Sequence, residues 1–316
     1  MKRRMCLRFC MLMLSVTLLL ACDRGAPSSE PMTGKTSTKV EQVPALTVTV
    51  SIVPQTHFVK RLGNERVSVQ AMVEPGANPA TYEPKPEQLK ALQASAVYMR
   101  IRVPFEEAWM DRIRGANPEM RVVDTTEGIE RLPVDSTHVH DEDEEEEAQE
   151  TSGEHLDPHI WLSPRLVKTQ AGTIAEALSE VDPDNRSFYQ TNLEDFLGDI
   201  DELDAYIREK LQNLENRKFM VFHPSWGYFA HDYDLEMIPV EVGGQEPSAR
   251  ELAALIEEAQ EESIRVVFAQ PEFSVRSAET IAQEIDGEVR LISPLDPDWE
   301  ENLRRVADTF AEVLGQ

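Results

Sequence analysis

The chain is poor in cysteine, in positive charge and in long apolar runs. Its three cysteines, Cys6, Cys10 and Cys22, all fall within the first 22 residues. A fold built from the residues after Cys22 has no internal disulfide and must draw its stability from a core. Lysine and arginine number 31 against 58 aspartates and glutamates, for a formal net charge of −27. So acidic a surface repels nucleic acid and anionic lipid, and nucleic-acid binding is excluded on that ground. The apolar run at 11–20 is too short to span a bilayer. The zinc-hydrolase helix signature is missing too: His155 and His159 stand four apart, but Pro158 lies between them and no glutamate takes the HExxH position. No enzyme activity is expected.

What is present begins with a leader. MKRRMCLRFC carries four cations and no acid, the apolar run comes next, and Leu19, Leu20 and Ala21 precede Cys22. This is the pattern of a lipoprotein signal peptide, 1–21, with Cys22 lipidated as the new N-terminus. Residues 22–44 are polar and poor in large apolar side chains, a flexible tether from the lipid to the fold. The expected location is the cell envelope, periplasmic and lipid-anchored to a membrane.

From Leu46 the pattern is α/β. Strand-like runs at 46–53, 67–73, 96–101 and 121–124 alternate with helix-capable segments, and the rhythm returns at 219–224, 235–241, 265–271 and 289–294. The pattern predicts two four-stranded lobes, 45–184 and 218–316. Between them, 185–217 places Phe188, Leu193, Phe196, Leu197, Ile200, Leu203, Ile207, Leu211 and Leu214 at intervals of three and four. That periodicity predicts one long rigid helix of about 45 Å joining the lobes. Inside the first lobe, 136–155 is low-complexity: seven consecutive acids, Asp141 to Glu147, with His138, His140 and His155 at its ends. Such a run repels itself and stays solvated, so it is either an accessory metal loop or an inert acidic one.

Two histidines stand out. His159 lies between Pro158 and the apolar pair Ile160 and Trp161, in HLDPHIWLSPR. His223 comes after a strand-like run in FMVFHPSWGYFA, where a strand ends. Ligands of open α/β sheets bind beyond the carboxyl ends of strands, and a neutral imidazole held there is a good ligand for a borderline metal. The alternative for either is a satisfied core histidine; together they point to one shared site between the lobes.

These two blocks, with SIVPQTHFV, VEPGANPATYEPKPEQL, QEPSARELAALI and FAQPEFSVRSAETIAQEI, run in the order of the ZnuA/TroA-like solute-binding proteins of ABC importers. The chain resembles that family over nearly all of its mature length. The resemblance implies two α/β lobes, a rigid connecting helix, and Zn2+, or alternatively Mn2+, bound in the cleft. It implies delivery to an ABC permease transmembrane subunit, and a monomer is expected. The family's metal takes a histidine from each of three blocks and an acidic group or water from a fourth. Here Ala80 stands where the first histidine would be and Ser293 near the place of the final aspartate. His57, after the first strand, is the leading substitute, with a solvent-facing helix histidine as the alternative. Glu83 and Glu272 are the oxygen candidates, and water or a loop histidine is also open. Ser248 reads as a helix N-cap with Glu246 and Pro247 structural, and His231 as a surface residue. The gaps at Ala80 and Ser293 motivate a competing reading, a surface lipoprotein using the same fold for adhesion or another contact with a degenerate metal site.

Overall fold

The computed structural model describes residues 46–134, 156–241 and 244–315. Cys22, the tether, and His138, His140 and His155 lie outside the described residues.

The first lobe contains β1 (Leu46–Val50), α1 (Val53–Gly63), β2 (Val67–Ala71), α2 (Pro86–Ala91), β3 (Val97–Arg100), α3 (Pro104–Ala116) and β4 (Arg121–Asp124). Then come α4 (Pro164–Val181) and α5 (Arg186–Leu211). The second lobe holds β5 (Lys218–Val221), α6 (Gly227–Asp232), β6 (Glu236–Pro239), α7 (Ala249–Glu261), β7 (Val266–Ala269), α8 (Arg276–Glu284), β8 (Glu288–Leu291) and α9 (Trp299–Leu314). Every strand pair is parallel, in the orders β2-β1-β3-β4 and β6-β5-β7-β8. In each sheet the chain leaves the first strand for the edge and returns on its other side. The crevice where this reversal happens lies at the carboxyl ends of β1 and β3 in one lobe and of β5 and β7 in the other.

The central strands β1, β3, β5 and β7 are largely buried because both faces of the sheet are covered there, while the edge strands β2, β4 and β8 are partly exposed and carry polar residues. In β5, Phe219 and Val221 face a core that also contains Phe58, Trp161, Phe196 and Trp299, whereas Met220 faces a smaller core under α7 and α8. The larger core is continuous: it runs from the first sheet through α4, α5 and α9 to one face of the second sheet. α5 links the lobes, burying Phe196, Ile200, Leu203, Ile207 and Leu211 on one stripe. It is 26 residues long, about 39 Å, and ends earlier than the periodicity predicts. Arg217 stops it by donating from Nη2 to the carbonyls of Leu211 and Gln212, the capping that basic side chains give to the last orphan carbonyls.

Behind the crevice of the first lobe sits a buried carboxylate, Glu106. It accepts hydrogen bonds from Ser51 Oγ, Tyr98 Oη and the Ile101 amide, with Arg100 Nε 3.7 Å away. Burial outweighs these donors and pushes Glu106 up to about 7. Between pH 4.5 and 7 the folded chain therefore holds a proton that the unfolded chain has lost, so this group's contribution to stability declines as pH rises through that window. Relative to Glu106→Gln, wild type should lose on the order of 3 kcal/mol of unfolding free energy across it, with no further change at higher pH. Urea unfolding of both proteins at a series of pH values checks this; parallel profiles would refute it.

Candidate metal centre

Each key histidine is set by its own element. β5 ends at Val221, and two residues on His223 turns into the crevice, its amide donating to Gln270 Oε1 at 3.1 Å while Gln270 Nε2 returns a bond to the His223 carbonyl at 2.7 Å. Gln270 comes directly after β7 and is fully buried, so the neighbouring strand clamps the histidine's backbone. His159 stands before a short 3-10 turn, Ile160–Leu162, which leads into α4 capped by Ser163 Oγ accepting from the Leu166 amide. Trp161 locks this turn to the other lobe: its indole N–H donates to the Pro294 carbonyl, and Trp299 donates to the Trp161 carbonyl, both at 2.7 Å.

The two rings meet in one cavity of about 150 Å³, their centroids 5.3 Å apart and their planes at 74°. Asn78, Ala80, Val103 and Pro104 form one side of the cavity and Pro224, Phe273 and Leu295 another. Phe273 lies flat on His223 at 4.3 Å.

Behind each ring lies a carboxylate. Asp157 Oδ1 accepts from His159 Nδ1 at 2.6 Å and from its amide at 2.8 Å. Glu241 Oε2 faces His223 Nδ1 at 2.5 Å. With Nδ1 carrying its proton toward a carboxylate, Nε2 keeps its lone pair, and this outer-shell arrangement fixes the tautomer and raises ligand basicity. Burial holds the His223 imidazole below its usual value despite Glu241, so the neutral form is favoured. Gly227 makes room for the pairing, since a methyl there would come within 3.0 Å of Asp157 Oδ2. Two imidazoles sharing a cavity, each with Nδ1 turned to a carboxylate, form a ligand pair for a borderline divalent metal.

The family model described as ZnuA, zinc-uptake complex component A, periplasmic, matches residues 48–313. The chain belongs to this family. Its members are binding proteins and not enzymes. Over 256 residues the chain is 25% identical to the high-affinity zinc uptake system protein ZnuA of Bacillus subtilis, covering 79% of each. A crystal structure of ZnuA matches with 44% identity and a TM-score of 0.78, over 85% of this chain and 99% of that one. A ZnuA deletion mutant with zinc bound matches with the same identity and TM-score, over 86% of this chain and 99% of that one.

Of the remaining metal candidates, His57, Glu83 and Glu272, none lines the cavity. His57 is not brought to the cavity. α1 starts at Val53, and His57, a turn later, faces α5 and α9, packed by Phe196 and Trp299 with Nε2 3.1 Å from Glu300. That hydrogen bond holds the Glu300 carboxyl below its usual range. Neither reading from sequence, a cleft ligand or a solvent-facing residue, describes this position. Glu83 is off the cavity wall. Glu272 sits beside the wall residue Phe273, accepting from Ser293 Oγ at 2.7 Å, and its other oxygen is buried without a hydrogen-bond partner. Ser248 caps α7 in a reciprocal pair with Glu251, Glu246 accepts from Ser277 Oγ, and His231 is 61% exposed.

Asp157, Glu241 and Gln270 are not singled out by the sequence patterns. Asp157 stands two residues before His159, a local signal. The β5–β6 register pairs Val221 with Pro239, and two further steps set His223 beside Glu241, a signal readable only once strand order is known.

Proposed function

We propose that this protein is a lipid-anchored, extracytoplasmic receptor that binds one zinc ion between its lobes and hands it to an ABC permease. The observation that carries this is the pair of imidazoles, His159 and His223, each backed by a carboxylate and both facing one cavity. Zinc is favoured over manganese because the side chains offered are nitrogen donors, and the zinc-bound ZnuA relative supports the same choice. His159 and His223 are the proposed ligands. Glu272, with its unpartnered oxygen, is the oxygen ligand held in reserve, and Glu83 and His57 are placed lower by their surroundings. Lipid on Cys22 ties the receptor to its membrane, and it acts as a monomer. No helix among the described residues is long and apolar enough to cross a membrane.

Equilibrium dialysis of the mature chain at micromolar free zinc should retain one equivalent. Excising 136–154 should remove only weak additional binding, because seven adjacent carboxylates attract cations without imposing a tetrahedral shell. Retention of no stoichiometric metal would replace this proposal with a surface lipoprotein whose metal site has decayed.

The carboxylates give a finer test. Asp157→Asn and Glu241→Gln keep the shape of each side chain but surrender the negative acceptor, and each should weaken zinc binding by about 10- to 100-fold. Calorimetric zinc titration reads it; unchanged affinity in both would remove the carboxylates from the binding role.

A further inference from the structure

Zinc in a tetrahedral site takes four ligands, and two imidazole nitrogens supply half of them. Among the described residues no group of three or more His, Cys, Asp or Glu side chains is placed to hold a metal. Instead, the cavity wall shared with both histidines carries Ala80, whose side chain ends in a methyl. The space is far from a single water's: about 150 Å³, where an engineered cavity of similar size takes up benzene. Aromatic side chains border it. Phe273 stacks on His223 at an interplanar angle of 19°, and Trp161 lies 5.1 Å from His159. No Lys or Arg lines the cavity among the described residues, and Asp157 and Glu241 place negative charge behind both imidazoles. An anionic ligand would find no basic side chain beside the metal there, and the two carboxylates behind the imidazoles would oppose it.

Building on the zinc-receptor reading, we infer that the cavity takes zinc together with a small neutral aromatic nitrogen donor of imidazole size. The donor's ring fills the space beside Ala80, and its nitrogen displaces a water from the metal to extend the shell set by His159 and His223.

The test measures zinc affinity of the mature chain at buffered free zinc, alone, with imidazole and with acetate. Linkage gives the size of the effect: at an imidazole concentration about ten times its own dissociation constant from the zinc-loaded site, apparent zinc affinity should rise about tenfold. Acetate should give no such gain. Ala80→His, which supplies a nitrogen from the same wall, should bind zinc more tightly without additive and gain nothing from imidazole. Zinc binding in wild type that imidazole leaves unchanged or weakens overturns the inference while leaving the receptor reading intact. So does a gain that Ala80→His retains, or one that appears only after excision of 136–154. Absence of zinc binding under every condition overturns both readings.

Discussion

Zinc affinity should fall by more than about a hundredfold when either His159 or His223 is replaced by alanine. Loss of an outer-shell partner alone costs about 10- to 100-fold, and these substitutions remove the nitrogen itself. They also leave Asp157 or Glu241 buried without its imidazole donor. The two effects should be strongly non-additive, because a shell missing one nitrogen has already lost its geometry and the second loss finds little left to remove. His231→Ala is the neutral control, its ring being 61% exposed and remote in role. His57→Ala should leave affinity within a few-fold, since that ring pairs with Glu300. Calorimetric titration of the four variants beside wild type gives the answer. Tight binding retained in both cavity variants would dismantle the interlobe site.

The largest effect on stability should come from Trp299→Ala. Trp299 is 1% exposed, packs edge-on against Phe58 at 5.1 Å, and donates its indole N–H to the Trp161 carbonyl. Truncating a buried aromatic of this size costs about 3–5 kcal/mol. The orphaned Trp161 carbonyl adds about 1–3 kcal/mol more, less whatever water recovers. For a chain of this length the melting temperature should drop by roughly 10 °C or more. Trp299→Phe keeps most of the ring and loses only the donor, so it should recover more than half of the loss. Because Trp161 neighbours His159, the alanine variant should also bind zinc more weakly, and the phenylalanine variant less so. A melting temperature within about 2 °C of wild type for Trp299→Ala would show that this joint carries little of the stability.

Much of this architecture is legible in the sequence. The eight strands among the described residues fall inside or within one residue of the predicted runs, because the central ones, covered on both faces, are apolar and the edge strands β2, β4 and β8 still carry β-branched valine. The linking helix is legible from its stripe of apolar residues, although its end is not. Arg217 terminates it through backbone contacts that no periodicity encodes. His159 and His223 are legible because proline and strand ends fix them locally. His57 is misjudged for the opposite reason. In SIVPQTHF the strand ends before Ser51 and a helix takes over at Val53, so the ring's direction depends on helix phase. That phase aims it at α5 and α9. Glu241 is illegible until β6 is known to lie beside β5, since nothing in a sequence read strand by strand states which strands are neighbours.

The unbroken core beneath the cavity has an energetic consequence for the transport cycle. The first sheet, α4, α5, α9 and one face of the second sheet share apolar contacts through Trp161, Phe196 and Trp299. Opening the halves far enough to free a bound ion would expose that surface at about 25 cal/mol per Å², so an excursion uncovering a few hundred Å² costs several kcal/mol. Thermal motion alone makes such a state rare. On the receptor reading, unloading is then mechanical work that the docking partner must perform, and the stiffness of the joint sets how much of that partner's free energy each delivered ion consumes.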